Sequence, residues 1–541
     1  MTARVADIVA ETLSAHDIRH AFGMPGGEVV TLVDALNQAG VEFTLARHET
    51  AAAIMAAGAF SVTGAPGLLV TTLGPGLANA VNGIADASQE HVPLIVISGV
   101  VDHNIRGTYT HQVVDHKKLL HPLVKASFEV ETEGVGATVA RAISVAMAHP
   151  MGPVHIDLAP ETAAKLATAD DAVVKNTPKP RPKYTPDSPE FSLVYRALEK
   201  SQRPIMIAGL DAVKDGAGPA LTKLAENYQI PVLTTYKAKG TIDEDHPLSL
   251  GAAGLSPLAD KTILPLVAQS DLILLVGYDP IEMRQPWCQP FKPNQHVIAL
   301  GPPVADHGMH RGDLHIEGPT ELILQTVLDH PEAPDTPAKW PDGAPSAAKN
   351  DLLQAFKPPT DWGPHSVFTV LQDTKPENSI VTVDSGAHRI LLSQMMRFQT
   401  PNTLLQSAGF CTMGAAVPLA TGARKAAPEI TAISVVGDGG LEMGLGELAT
   451  LRDQSLPVVI IVLQDHSLAL IELKQRQAGL AQAGVKLGAT RFEDIAEAFG
   501  GKGERVTSAQ SLARALTAAY ACETFTVIVA EIEAEAYAGR I

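Results

Sequence analysis

Two acidic residues near the end of the chain stand directly after two apolar stretches. Asp438 belongs to the sequence Gly437-Asp438-Gly439-Gly440, which follows ITAISVV, and Asp465 follows PVVIIVLQ. We predict that both apolar stretches are buried strands, that the glycine-rich sequence is a turn, and that LEMGLGELATLRDQ is the next helix. Such a turn offers backbone N–H groups to phosphate, and an acid there repels phosphate unless a cation lies between them. If the strands are neighbours, the two acids therefore predict a Mg²⁺ site beside phosphate.

The elements that must position these acids follow a regular pattern along the chain. Short apolar runs, among them GLLVTTLGPG, PLIVISGV, GPVHIDLA, PIMIAGL, PVLTTY, DLILLVG, HVIALG, SIVTVDSG and TVIVAEI, alternate with helical patterns. Such runs are typical of parallel sheets that are covered by helices on both faces. Two proline-rich stretches, 175–190 and 330–349, favour extended linkers. We therefore predict an α/β protein with three doubly wound parallel-sheet domains, at residues 1–170, 188–332 and 355–541.

Composition narrows the possible partners. The 541 residues carry a formal net charge of −18, which argues against nucleic acid and anionic membranes as partners and favours a small-molecule substrate. Three scattered cysteines, Cys288, Cys411 and Cys522, are too few for a disulfide framework or a zinc site. The first residues predict a helix rather than a signal peptide, and no apolar run approaches the roughly 18 residues that span a bilayer. A cytoplasmic protein is the expectation.

Gly-Asp-Gly alone is a common turn, but several further motifs accompany it. The first third contains AFGMPGG (21–27), ARHETAAAIMAAG (46–58), TTLGPGLANAVNGIADA (71–87) and PLIVISG (93–99), and the last third contains LLQSAGFCTMGAAVPLATGA (404–423). In order and spacing these resemble the thiamine-diphosphate enzymes, within them the group of acetolactate synthase and benzoylformate decarboxylase. The resemblance implies a pyrimidine-binding domain, a central Rossmann-like domain and a diphosphate-binding domain.

The resemblance also implies residues for the thiamine part of the cofactor. Glu49 matches the carboxylate that contacts the aminopyrimidine ring, although a lone acid in this position would usually be a surface or capping residue. Met413 matches the apolar residue that holds the cofactor in its bent shape, and the same bulk would serve simple core packing. The remaining residues that the resemblance places near the thiamine part are Pro25, Gly26, Asn79 and Thr412.

At the diphosphate end, the resemblance makes Asp438 and Asp465 side-chain ligands of Mg²⁺ and gives Ser467 a ligand role through its backbone carbonyl. His388 matches a diphosphate contact. The family usually has Asn at the position of Asp465, Gln at Ala387 and Ser at Gly440, so anchoring of the diphosphate is expected to rely more on backbone amides. The other residues implied at this end are Gly437, Gly439 and Leu468.

The implied reaction is decarboxylation of a 2-oxo acid, with the thiazolium ring as the electron acceptor. His91 matches an active-site histidine of benzoylformate decarboxylase and is a candidate proton donor, with a buried structural histidine as the alternative. Acetolactate synthases usually have Phe at His111 and Trp at Lys474, whereas Gln112 is retained. A lysine on a helix is usually solvated, but Lys474 in the pocket would favour an anionic substrate.

Three functional hypotheses follow. The first is an acetolactate-synthase-like decarboxylase and carboligase, the second a simple decarboxylase that releases an aldehyde, and the third a non-catalytic cofactor-binding protein. The segment YDPIEMRQPW (278–287) differs from the one that binds FAD in acetolactate synthases, so FAD is doubtful. The resemblance implies a homodimer at least, and a homotetramer as the larger assembly.

Overall fold

The computed structural model describes residues 3–168, 172–175, 182–280, 283–303, 309–310, 312–330 and 339–541. Within them the chain forms three six-stranded sheets, and all strand pairs are parallel. The prediction of an α/β protein with three parallel sheets is confirmed. Among the helices described, none has the length and apolar character to cross a membrane.

The first sheet lies within residues 20–158. Its strands are β1 (His20–Met24), β2 (Glu42–Leu45), β3 (Gly67–Thr71), β4 (Leu94–Gly99), β5 (Ser127–Glu129) and β6 (Val154–Leu158). Its helices are α1 (Val5–Ser14), α2 (Val30–Gln38), α3 (Glu49–Thr63), α4 (Pro75–Gln89), α5 (His116–Leu120), α6 (Val135–Met147) and α7 (Pro160–Ala164). The strand order is β2-β1-β3-β4-β6-β5.

The central sheet has the order of a classic dinucleotide-binding fold. Its strands are β7 (Pro204–Ala208), β8 (Val232–Thr234), β9 (Ser249–Ala252), β10 (Leu272–Val276), β11 (His296–Gly301) and β12 (Leu314–Glu317). Its helices are α8 (Pro189–Lys200), α9 (Leu210–Lys214), α10 (Gly218–Tyr228), α11 (Pro257–Val267), α12 (Thr320–Leu328) and α13 (Ala344–Ala355). The order β12-β11-β10-β7-β8-β9 reverses between β10 and β7, where such sheets form a crevice.

The third sheet repeats the order of the first. Its strands are β13 (Ser379–Val383), β14 (Leu404–Gln406), β15 (Thr431–Gly437), β16 (Val458–Gln464), β17 (Lys502–Val506) and β18 (Thr526–Glu531). Its helices are α14 (Pro364–Thr374), α15 (Ala387–Met395), α16 (Ala416–Ala426), α17 (Asp438–Met443), α18 (Glu447–Asp453), α19 (Ala469–Gln477), α20 (Phe492–Ala498) and α21 (Ala509–Tyr520). The order β14-β13-β15-β16-β18-β17 makes β15 and β16 neighbours.

Two local predictions differ from the structure. The stretch 330–349 was expected to be an extended linker, but α13 begins at Ala344 because Pro345 occupies the first turn, where its missing N–H is not needed. The second difference concerns the segment after β15. A turn was expected at Gly437–Gly440, yet α17 already begins at Asp438, and the single helix expected at LEMGLGELATLRDQ is divided between α17 and α18 by a turn at 444–446. Residues 176–181 and 331–338 of the two expected linkers lie outside the described residues.

Helices α3 and α16 join the first and third domains within one chain. An ideal Cβ on Gly58 would lie 2.3 Å from the carbonyl oxygen of Leu419, and one on Gly422 would lie 1.8 Å from that of Met55. Only glycine permits this approach of the two helix backbones. The two domains are therefore packed through backbone contact.

Candidate active site

A cavity of about 270 Å³ opens at the carboxyl ends of the third sheet. It lies where β15 and β16 end side by side, with Gly437 paired to Leu463. Parallel neighbours end at the same edge of a sheet, so residues far apart in sequence meet there. The predicted residues that line the cavity are His388, Met413, Gly437, Asp438, Gly439, Gly440, Asp465, Ser467 and Leu468.

Asp438 is held rigidly at the first position of α17. Its side chain is buried, with 3% of the residue exposed. Oδ1 accepts a hydrogen bond from the Gly439 N–H at 2.8 Å, and Oδ2 accepts one from the His466 N–H at 2.7 Å. Burial raises the pKa of this carboxyl group, and the two backbone N–H groups offset part of the rise. Asp438 thus connects the ends of β15 and β16.

Asp465 completes a pair of like charges. Burial, and after it the negative charge of Asp438, raises the pKa of Asp465 to about 7. Its Oδ1 accepts a hydrogen bond from the Ser467 N–H at 3.0 Å, which turns the chain after β16. Asp438 is buried and Asp465 is partly buried, and two such carboxylates that repel each other are stabilised by a divalent cation, for which oxygen donors suit Mg²⁺. The donor set therefore fits the predicted metal, with Asp438, Asp465 and Ser467 as the residues that would hold it.

Several polar atoms that line the same cavity lack a hydrogen-bond partner among the described residues. They are Ser385 Oγ, His388 Nε2 and the hydroxyl group of Tyr537. Buried polar groups without partners are costly in a folded protein and are usually satisfied by water or a ligand. Burial, and second the charge of Arg389, lowers the pKa of His388 to about 4, so its ring is neutral near pH 7. These unsatisfied groups fit the oxygen atoms of a diphosphate.

The backbone around Gly440 explains why this position lacks a side chain. An ideal Cβ on Gly440 would lie 2.1 Å from Oδ2 of Asp384. Asp384 is fully buried at the end of β13 and accepts hydrogen bonds from the N–H groups of Gly414 and Ala415 at 2.9 and 2.8 Å. Its carboxyl group caps the start of α16, and burial raises its pKa to about 6. A serine at Gly440 would displace this cap.

Glu49 lies at the first position of α3, outside the residues that line this cavity. It is 4% exposed, and its Oε2 accepts a hydrogen bond from Asn79 Nδ2 at 3.1 Å. Its neighbours His48 and Thr50 line a second cavity, of about 360 Å³, and Met413 borders both cavities. The structure thus brings Glu49 and Asn79 together, and Met413 connects their surroundings to the diphosphate end.

The other residues predicted near the thiamine part occupy loops around these cavities. Pro25 and Gly26 follow β1, and an ideal Cβ on Gly26 would lie 2.2 Å from Thr72 Oγ1, so the two loops touch. Thr412 is buried, and its N–H donates to Ser407 Oγ at 2.8 Å. These contacts fix the loops but do not by themselves test a role in cofactor binding.

His91 contacts the central domain. Its Nε2 lies 3.3 Å from Asp279 Oδ2, and its Nδ1 lies 3.8 Å from Asp211 Oδ1. These two acids follow β10 and β7, where the strand order reverses. Lys214, whose pKa burial lowers to about 7, donates to the carbonyl oxygens of Glu90 and His91. The ring of His91 therefore lies in the crevice of the central sheet, and its role as a proton donor stays a prediction.

The three remaining predicted residues lie near the surface of the chain. His111 is exposed and contacts the ring of Tyr109 edge-on at 6.2 Å between centroids. Gln112 is exposed in the same loop, with a positive φ of 58°, and its carbonyl oxygen lies 2.1 Å from an ideal Cβ on Gly74. Lys474 is exposed on α19, outside the residues that line the cofactor cavity. Their roles toward substrate stay predictions.

Sequence reasoning missed several residues of the cavity or its support, among them Ser385, Arg389, Tyr537 and Asp384. Asp384 and Ser385 could have been found, because they follow the predicted strand SIVTV at its carboxyl end. Tyr537 lies in a short 3-10 helix, Ala534–Tyr537, far along the chain from either acid. Burial, and then the charges of Asp465 and Asp438, raises its pKa well above the ordinary value. No local pattern marks such a residue.

Known proteins share this organisation. The N-terminal and C-terminal thiamine pyrophosphate-binding domains of thiamine pyrophosphate enzymes match residues 3–119 and 384–530, and their central domain matches 192–327. A probable acetolactate synthase large subunit of Methanocaldococcus jannaschii is 30% identical over 518 residues, which cover 93% of this chain and 87% of that protein.

Two further relatives are similarly distant. An acetolactate synthase of Bacillus subtilis is 29% identical over 521 residues, covering 95% of this chain and 90% of that protein. The acetolactate synthase isozyme 2 large subunit of Escherichia coli is 28% identical over 525 residues, covering 94% and 92%. The chain therefore belongs to the thiamine pyrophosphate enzymes and is an acetolactate synthase-like member of that family.

Proposed function

We propose that the protein uses thiamine diphosphate and Mg²⁺ to decarboxylate a 2-oxo acid such as pyruvate and to transfer the remaining acyl group to a second carbonyl compound. The observation that carries the proposal is the pair of carboxylates at two adjacent strand ends, the buried Asp438 and the partly buried Asp465. Unsatisfied polar atoms in the same cavity add donors for phosphate oxygens. With pyruvate as both donor and acceptor, the products are CO₂ and a 2-hydroxy-2-methyl-3-oxo acid.

Each end of the site has its own task. Asp438, Asp465 and the Ser467 carbonyl would hold Mg²⁺, and His388 with Ser385 would donate to the diphosphate. When bound, thiamine diphosphate supplies the nucleophilic carbon and accepts the electron pair that decarboxylation releases. Glu49 would hold the proton that the cofactor's aminopyrimidine nitrogen exchanges, with Asn79 orienting its carboxyl group.

The assembly proposed is a homodimer at least, and a homotetramer as the larger form. The exposure of large apolar side chains supports the proposal that a second subunit packs next to the site. In the single chain, Phe410 is 44%, Met443 65% and Ile471 44% exposed. The M. jannaschii and E. coli relatives are named large subunits, so a small-subunit partner is included in the proposal.

Roles above the thiazolium ring are assigned to the loop that carries His111 and Gln112. Lys474 and His91 are retained as candidates for the acceptor pocket and for proton donation, respectively. The proposal leaves FAD out, because the sequence at 278–287 differs from the family's FAD segment and the ring of His91 lies in the central crevice. Residues 281 and 282 of that segment lie outside the described residues.

A product screen tests the proposal. The purified protein is incubated with thiamine diphosphate, Mg²⁺ and a panel of 2-oxo acids, with and without aldehyde or keto-acid acceptors, and products are identified by mass spectrometry. A carbon–carbon coupled product that disappears with EDTA and returns with Mg²⁺ is expected. Aldehyde alone across the panel would instead identify a simple decarboxylase, and no product would favour a non-catalytic cofactor-binding protein.

A further inference from the structure

Arg389 is a buried cation in the wall of the cofactor cavity. It follows His388 on α15, and only 5% of the residue is exposed. Nη1 donates to the Ser407 carbonyl at 2.8 Å, Nη2 donates to Cys411 Sγ at 3.3 Å, and Nε has no partner among the described residues. A thiol sulfur is a weak acceptor, so much of the donor capacity of this guanidinium is unused.

No carboxylate of the described residues lies within ion-pair distance of Arg389. Two partly buried arginines, by contrast, are paired with carboxylates: Arg505 contacts Glu493 at 2.9 Å, and Arg284 contacts Asp260 at 2.7 Å. A buried charge is costly without a counterion, because desolvation is not repaid by attraction. The unpaired guanidinium in a ligand-sized cavity therefore favours an anion that enters with the ligand.

The cavity wall carries charges of both signs. Asp438, Asp465 and Arg389 all line the cavity, and Arg389 lies beside Cys411. The acids suit a cation, whereas Arg389 suits an anionic oxygen, to which a guanidinium donates two parallel hydrogen bonds. The same cavity could therefore accept a metal ion at the acids and an anionic group at Arg389.

We propose that Arg389 is an anion-binding residue of this cavity and pairs with a phosphate oxygen of the cofactor or with the carboxylate of the 2-oxo acid. The choice between these two sources rests on the proposed function, whereas the pairing of Arg389 with an anion does not. In either case Arg389 would supply a polar side-chain contact to the bound anion, which Ala387 and Gly440 cannot because they lack polar side chains.

Three measurements with the full chain test the proposal, each on the wild type, Arg389→Gln and Arg389→Lys. Calorimetry gives the Kd of inorganic pyrophosphate and the Kd of thiamine diphosphate, both with Mg²⁺, and steady-state kinetics gives the KM of pyruvate. Loss of a charged hydrogen bond predicts that Arg389→Gln raises at least one constant about 10- to 100-fold. Arg389→Lys is expected to recover part of that loss, because it keeps the charge.

The pattern of changes identifies the anion. Weakening of both phosphate ligands assigns Arg389 to the diphosphate, and a change in the KM of pyruvate alone assigns it to the substrate carboxylate. Arg424→Gln is the matched control, since Arg424 also donates to a backbone carbonyl, that of Ile430 at 2.9 Å, but lies outside this cavity. The control should match the wild type in all three measurements.

Thermal unfolding separates an anion-binding role from a structural one. Without ligand, Arg389→Gln should melt no lower than the wild type, because it removes an unpaired buried charge. A lower Tm together with all three constants unchanged would mean that Arg389 only supports the Ser407 loop, and the inference would be wrong.

Wild-type protein that fails to bind thiamine diphosphate would overturn the proposed function, yet pyrophosphate binding that depends on Arg389 would still support the inference. If the wild type binds neither ligand and turns over no pyruvate, both fail.

Discussion

The first and third domains have the same strand order and carry different chemistry at their strand ends. In both, the third and fourth strands in sequence are neighbours at the centre of the sheet. The third domain has Asp438 and Asp465 directly after these strands, whereas the first has Thr72 and Val100 at the same positions. The fold therefore brings strand ends together, and the residue types decide whether a cation is needed there.

The acids of the two domains differ in their partners. Glu49 of the first domain is a single carboxylate with an amide donor, Asn79, whereas Asp438 of the third domain faces a second carboxylate. A lone acid with a neutral partner can exchange a proton. Two neighbouring acids, in contrast, are not readily ionised at the same time, and binding of a metal ion stabilises the state in which both are charged. Three substitutions test this contrast, from the largest expected effect to the smallest.

Replacing Asp438 with Ala should have the largest effect, because it removes a proposed metal ligand and the hydrogen-bond acceptor of the His466 N–H. We expect binding of thiamine diphosphate in the presence of Mg²⁺ to be abolished, since even residues behind metal ligands cost about 10- to 100-fold in affinity. Calorimetry on the apoprotein measures this. Asp494→Ala, an exposed acid on α20, is the control, and unchanged binding in Asp438→Ala would reject the metal assignment.

Replacing Glu49 with Gln should affect turnover while leaving cofactor binding largely intact. The side chain keeps its size and its contact with Asn79, but it can no longer take up a proton, which predicts a fall in kcat of about 100- to 10,000-fold. Steady-state kinetics at saturating cofactor measures kcat, and Glu11→Gln on α1 serves as control. Wild-type turnover in Glu49→Gln would show that the first domain does not contribute the catalytic carboxylate.

Replacing Gly440 with Ala should have the smallest effect, and it acts on stability. The added Cβ would lie 2.1 Å from Asp384 Oδ2, so the carboxyl group that caps α16 must move. Overpacking of this kind costs about 1–3 kcal/mol. Gly27→Ala in the first domain is the control, because its Cβ would meet no atom within 4 Å. Equal Tm values for both variants would mean that Asp384 can relocate freely.

Much of the fold could be predicted because its signals are local. Apolar runs such as PVVIIVLQ predict buried strands wherever they lie in the chain, and they correspond to strands in the structure. Strands without a continuous apolar run escaped prediction, for example β17, whose sequence KGERV alternates in burial. α13 escaped for another reason, since proline content also suits the first turn of a helix.

The candidate site also contains residues that could be predicted from the sequence and contacts that could not. Asp438 and Asp465 could be predicted because each directly follows a recognisable strand, and a parallel sheet brings neighbouring strand ends to one edge, whereas Ser467 was implied only by the resemblance to the thiamine-diphosphate enzymes. The partners of His91 could not, because Asp211 and Asp279 belong to another domain. Their contact depends on how domains pack, which no spacing along the chain specifies.

The sequence by itself determined the order of strand, acid and following helix, because these depend on local propensity and short-range periodicity. The tertiary structure alone decided which polar groups lose water without gaining a partner. Arg389 and Tyr537 are ordinary residues in the sequence, and each becomes a binding candidate only because distant segments bury it in one cavity. Packing decides which groups lose their contact with water. Only in the folded chain, therefore, is the pKa of Asp465 raised and is Arg389 Nε left without a hydrogen-bond partner among the described residues.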